Sequence, residues 1–205
     1  MQEAVNIFVR SIFIENMIFA YFLGMCTFLA ISKNVKTAMG LGVAVIFLLT
    51  ITVPINYLLE NYVLKAGALQ WLGEDFKSVD LSMLSLLVFI TVVASVTQIL
   101  EMLVEKLSPS LYNTLGIFLP LLAVNCAILG GSLFMQQKEF LNVGYATVYG
   151  FGTGIGWFLA ILGLSAIREK LQYSDIPKPL KGLGITFIVT ALMGIAFMSF
   201  SGINL

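Results

Sequence analysis

The chain has 205 residues, of which 59% are hydrophobic and 11% charged, with a mean hydropathy of +0.98 and no formal net charge. A soluble domain carries about 25% charged residues, so no water-soluble fold hides this much apolar surface and the chain reads as an integral membrane protein. Neutrality argues against a nucleic-acid binder or a polybasic membrane-surface protein. Histidine is absent, which excludes histidine triads, zinc–histidine sites and haem–histidine ligation from this chain alone.

At about 20 residues per crossing, the length accommodates roughly six membrane helices and no separate soluble domain. Six apolar stretches fit that number, near 5–31, 38–59, 79–104, 111–135, 143–167 and 183–203. The first is too long for a cleaved signal peptide and lacks its basic start. Glycine and proline fall inside the stretches, which bilayer helices tolerate because neighbours satisfy the freed backbone groups. The longest polar stretch, Glu60–Asp80, reads as a loop with Trp71 near the interface.

With six crossings, connections 1–2, 3–4 and 5–6 share one side and hold Lys33, Lys36, Lys106, Arg168, Lys170, Lys178 and Lys181. The other side holds Arg10, Lys65, Lys77 and Lys138. The excess of basic residues marks the first side as cytoplasmic and places both termini in the periplasm.

The two halves, 1–106 and 107–205, follow one plan. Stretch 1 carries Glu15-Asn16, then Phe22-Leu23-Gly24-Met25-Cys26-Thr27; stretch 4 carries Tyr112-Asn113, then Phe118-Leu119-Pro120 and Val124-Asn125-Cys126. Stretch 2 opens with Gly40-Leu41-Gly42 and stretch 5 with Gly150-Phe151-Gly152-Thr153-Gly154. Three crossings per half make this an inverted-topology repeat. The expected fold is therefore all-α, with six transmembrane helices in two inverted three-helix repeats forming one membrane domain.

Cys26 and Cys126 are the only cysteines and occupy matching stretches. One buried cysteine is ordinarily a small hydrophobe; two at pseudo-equivalent places point to shared chemistry. Soft thiolates select copper(I), zinc or iron–sulfur clusters, and a disulfide is a further option. In straight helices Cys26 lies about 10 Å, and Cys126 about 22 Å, inside the same face. That mismatch predicts that helices 1 and 4 are interrupted, with Gly24 and Pro120 as break points. An iron–sulfur cluster needs four ligands, so the missing pair must come from a second copy or a related subunit.

Other polar residues carry weaker signals. Glu15, with Asn16, is an intramembrane carboxylate able to bind a cation, relay a proton or tie two helices together. Glu101 reads as a snorkelling interfacial charge. Asn113 and Asn125 are candidates to cap broken helices or bond to cluster sulfurs. Gly150, Gly152, Gly154 and Gly156 form i,i+4 pairs suited to close helix packing, and no phosphate-binding loop accompanies them.

The runs Phe13-Ile14-Glu15-Asn16-Met17, Phe22-Leu23-Gly24-Met25-Cys26-Thr27-Phe28, Leu115-Gly116-Ile117-Phe118-Leu119-Pro120-Leu121 and Val124-Asn125-Cys126-Ala127 resemble the NqrE/RnfA family. So do Ala166-Ile167-Arg168-Glu169-Lys170 and the ending Phe197-Met198-Ser199-Phe200-Ser201-Gly202. The resemblance covers essentially the whole chain. Its details lean towards the NqrE branch, found in the sodium-translocating NADH:ubiquinone oxidoreductases, and the alternative is an RnfA-type subunit of the ion-translocating ferredoxin:NAD oxidoreductase. It implies a subunit of a bacterial inner-membrane translocase with no complete active site of its own. It also implies a [2Fe–2S] cluster shared with the homologous, oppositely oriented NqrD protein, with Cys26 and Cys126 as iron ligands. Gly24, Met25, Thr27 and Asn125 then surround the ligands, and Glu15, Asn16 and Asn113 are candidates for an ion path. NADH, flavins and quinone fall to the other Nqr subunits (A, B, C and F), and sodium export to the whole complex. A secondary ion transporter is the rival class, since inverted repeats, broken helices and Glu15 suit an ion path as well.

Overall fold

The computed structural model describes residues 2–65, 82–107, 109, 112, 118, 120–175 and 177–202, and among these it contains helices and no strand. The helices are α1 (Gln2–Phe13), α2 (Met25–Ile31), α3 (Val35–Leu59), α4 (Ser85–Leu107), α5 (Pro120–Ala123), α6 (Cys126–Lys138), α7 (Val143–Leu171) and α8 (Leu183–Met198). Among the described residues three continuous stretches are long and apolar enough to cross a membrane: Val35–Leu64, Ser85–Leu107 and Val143–Leu171. Stretch 1 is split into α1 and α2, and α6 is the last part of stretch 4. At 16 residues, α8 is shorter than a full crossing.

The centre of the molecule is the pairing of α3 with α7, and the α7 glycines explain it. Lipid tails are as apolar as leucine, so helices associate in a membrane by close packing rather than by burial from water. A Cβ on Gly150 would stand 2.7 Å from the Leu49 carbonyl oxygen, and one on Gly154 2.8 Å from the Ile46 Cα, both on α3. The alternate pair meets α1: a Cβ on Gly156 would stand 2.9 Å from the Ile12 carbonyl oxygen, and one on Gly152 would run into Ser11. The two i,i+4 pairs read from the sequence therefore face two different helices. Leu41, Val45, Leu48, Leu49, Thr52, Val53 and Asn56 are the buried face of α3.

Polar contacts tie the ends. Tyr57 Oη donates to the Phe140 carbonyl at 2.7 Å, and Asn56 Nδ2 to Ser132 Oγ at 2.7 Å. Glu60 does not begin a loop. Residues Glu60–Leu64 continue α3 as a π-helical turn that buries the Glu60 carboxylate, which accepts from Gln136 Nε2 at 3.0 Å. Trp71 and the rest of the 66–81 stretch lie outside the described residues. On α4 a single stripe, Ser85, Phe89, Val93, Thr97 and Leu100, is buried, and on α8 only Thr186 and Thr190 are. Both helices also carry exposed apolar residues, among them Leu87, Ile90 and Ile99 on α4 and Leu183, Leu192 and Ile195 on α8.

Candidate functional site

Helix α1 stops where its ladder is cut. The Ile14 and Glu15 amides both turn to the Arg10 carbonyl, at 3.0 and 2.8 Å. Residues 14–24 then run as turns, and Asn16 holds them together. Its Nδ2 donates to the Ile12 and Gly156 carbonyls (3.1 and 2.9 Å), and its Oδ1 accepts from the Ile18 amide at 3.0 Å. Phe22 (φ 56°) and Gly24 (φ 79°) have left-handed backbone, and Gly24 starts α2. Thr27 Oγ1 donates to the Gly24 carbonyl at 3.2 Å, closing the first turn, and Cys26 is the second residue of that helix. Asn16, Met17, Ile18, Gly24 and Thr27 are buried, as irregular backbone at membrane depth requires.

The second break falls at Val124-Asn125, one turn after Pro120. Pro120 is the first described residue of the short α5. Asn125 has extended backbone, its Oδ1 accepts from the Ala127 amide at 3.0 Å, and Cys126 follows as the first residue of α6. This is the capping role expected of Asn125. Asn113 lies outside the described residues.

The two breaks adjoin. A Cβ on Gly24 would stand 2.9 Å from the Ala127 Cβ, 2.9 Å from Asn125 Oδ1 and 3.0 Å from Trp157 Nε1. Residue 24 thus sits against the residues flanking Cys126, and only glycine allows that approach. Both thiols are free and exposed. Phe22 and Val124, close to them in sequence, are 66% and 71% exposed. Met25 is half-buried. No group of three or more metal-binding side chains occurs among the described residues.

Trp157 is the residue that sequence reasoning missed here. It is fully buried on α7, and both its Nε1 and Asn125 Nδ2 are buried without a hydrogen-bond partner among the described residues. The available signal was its i,i+4 spacing from Thr153 and Tyr149 on a glycine-rich helix. The sequence places Arg168 in a mixed-charge connection and in one of the runs that carry the family resemblance. Arg168 Nη1 donates to the Leu29 carbonyl at 3.1 Å and to Ser32 Oγ at 2.6 Å, tying the far end of the cysteine-bearing α2 to α7.

Glu15 is buried and fully paired. Its Oε1 accepts from Arg10 Nε at 2.9 Å, and its Oε2 is paired with Lys138 at the end of α6. Glu101 is half-buried on α4.

The Rnf-Nqr family, described as "Rnf-Nqr subunit, membrane protein", matches residues 4–204. The chain belongs to the Rnf-Nqr family. Among proteins of known name, it is 56% identical to the E subunit of the Na(+)-translocating NADH-quinone reductase of Rhodopirellula baltica, covering 100% of this chain and 99% of that protein. It is 59% identical to the E subunit of the same enzyme from Psychrobacter cryohalolentis and 58% identical to that from Stutzerimonas stutzeri, each over the full length of both chains. The Rnf-Nqr assignment agrees with the resemblance carried by the residues around the two breaks, and makes this chain a membrane subunit of that family.

Proposed function

We propose that the chain is the E subunit of a sodium-translocating NADH:quinone reductase in the bacterial inner membrane, and that it relays electrons across the membrane. The observation carrying this reading is that the only two cysteines are exposed, free and held on adjoining helix breaks. Their donor chemistry fits half the ligand set of a [2Fe–2S] cluster, and the exposed apolar rim of Phe22 and Val124 suits a partner, the homologous NqrD protein, that supplies the other half. The unpartnered Asn125 Nδ2 and Trp157 Nε1 add donors at the same place. Such a cluster, when bound, supplies one-electron transfer. The chain's own residues do the rest. Gly24 lets the breaks meet, Asn16 and Asn125 fix their backbone, and Thr27 closes the turn that presents Cys26. NADH, flavins and quinone belong to the other Nqr subunits (A, B, C and F), and sodium export to the complex.

The same reading takes residues 1–106 and 107–205 as inverted three-helix repeats with six spans and periplasmic termini. Support comes from a break next to a cysteine in each half. Cys26→Ala and Cys126→Ala in the assembled complex test the relay: each should remove the iron-dependent EPR signal of the reduced complex, and an undiminished signal in either variant refutes it.

A second reading follows from Glu15. A buried carboxylate at a helix break, held by a cation from another helix, suits an ion path that continues by Asn16. Sodium flux through the isolated protein in liposomes, without redox partners, would favour a secondary transporter; its absence removes that class.

A further inference from the structure

A second built feature lies away from the cysteines, where the turn between α2 and α3, the end of α7 and the start of α8 enclose a cavity of about 440 Å³. Lys33, Arg168 and Lys181 line it, with Asn34 beside them and Leu171 and Ile185 among its apolar lining. Among the described residues no carboxylate lines it, although Glu169 and Asp175 are close in sequence. Among the described residues neither lysine has an acidic partner. Arg168 is held in place by its bonds to Leu29 and Ser32, so its charge is fixed at the cavity wall.

We infer that this cavity binds the phosphate headgroup of an anionic phospholipid. Three cations converge at the helix ends on the side richer in Lys and Arg, the level at which headgroups lie, and basic pockets between membrane helices suit such groups. The apolar lining and the uncovered α8 decide for a lipid over free phosphate. Ile188 and Leu192, one and two turns beyond the cavity-lining Ile185 on the same face of α8, are 44% and 61% exposed, giving the acyl chains a path. The site bears on the cysteines through one residue, because Arg168 both lines the cavity and anchors the helix that carries Cys26.

The test uses the purified, delipidated complex, titrated with phosphatidylglycerol, cardiolipin, phosphatidylcholine or inorganic phosphate, and followed by native mass spectrometry and thermal unfolding. The two anionic lipids should bind and raise the unfolding midpoint while phosphatidylcholine does not. Each cation near an anionic headgroup changes the equilibrium roughly fivefold, so Lys33→Gln with Lys181→Gln should weaken binding about 25-fold. Lys33→Arg with Lys181→Arg should retain it, which separates the effect from misfolding. Equal binding of phosphatidylcholine, or an unchanged affinity in the Gln pair, overturns the inference. Binding of inorganic phosphate with no gain from acyl chains overturns the lipid assignment. Loss of a partner protein in the Gln pair with lipid binding intact assigns the patch to protein docking instead.

Discussion

Single residues at the two breaks have steric or hydrogen-bonding roles that define what each position tolerates. Gly24 combines a φ of 79° with contact to Ala127, Asn125 and Trp157. Gly24→Ala meets a left-handed backbone cost of about 1–2 kcal/mol, and its Cβ clashes besides. The expected outcome is a lower unfolding midpoint together with loss of iron from the purified complex. Asn125→Ala removes the acceptor for the Ala127 amide and should lower stability by about 1 kcal/mol, whereas Asn125→Asp keeps an acceptor and should restore most of it. Thermal unfolding of the three proteins side by side distinguishes capping from packing. Glu15→Gln breaks charge-assisted bonds to Arg10 and Lys138, and a cost of about 1.5–3 kcal/mol is expected. The sequence identified Asn125 and Gly24, because capping and left-handed backbone are local properties. It did not identify Trp157, whose role depends on a helix more than a hundred residues away in sequence bringing its indole against Gly24.

The short helix α2 shows what fixes an element too brief to be stable alone. Seven residues fall well below the roughly 12–15 needed for a helix to persist in isolation. Its geometry comes from its two ends: Gly24 packed on the second break, and Arg168 bonded to the Leu29 carbonyl and Ser32 Oγ. Arg168→Met removes both of these bonds and leaves only the 3.2 Å bond from Ser32 Oγ to the Leu29 carbonyl at that end. Amides of Met25–Ile31 should then exchange with deuterium about tenfold faster, a change of about 1.4 kcal/mol, while those of Ser85–Leu107 are unaffected. Equal acceleration in both segments would mean global destabilisation and would refute the anchoring role. At this scale the sequence predicted that stretches 1 and 4 are interrupted, because cysteines at mismatched depth demand it. Among the described residues the second interruption falls at Val124-Asn125, where the capping side chain of Asn125 starts α6. The burial of Glu60 was not legible in the same local way. A charge after an apolar run reads as the start of a loop unless a distant partner, here Gln136, draws it inward.

For the whole molecule, the arrangement depends on how closely backbones approach rather than on how much apolar surface is hidden. Lipid offers apolar side chains an equally good environment, so a side-chain face alone gives no reason for α3 and α7 to pair. The glycine stripe supplies that reason, and spacing alone made it legible. What spacing did not convey is that α7 is wedged between two helices, with Gly150 and Gly154 on α3 and Gly152 and Gly156 on α1. Both breaks are built against this wedge: Asn16 bonds to the Gly156 carbonyl and Trp157 touches Gly24. Widening the α3–α7 contact should therefore disturb the cysteines as well as the fold. Gly144, in the first turn of the same helix, has nothing within 4 Å of its missing side chain, so it is the internal control. Gly154→Ala places a Cβ 2.8 Å from the Ile46 Cα, where backbone must move, and a loss of about 1–3 kcal/mol is expected. Gly144→Ala should be neutral or stabilising by up to about 1 kcal/mol, through helix propensity alone. The decisive comparison is unfolding midpoint and iron content measured together. If Gly154→Ala lowers both and Gly144→Ala neither, the close approach of α3 and α7 supports the paired breaks; if the two alanines behave alike, the stripe reflects composition and not packing.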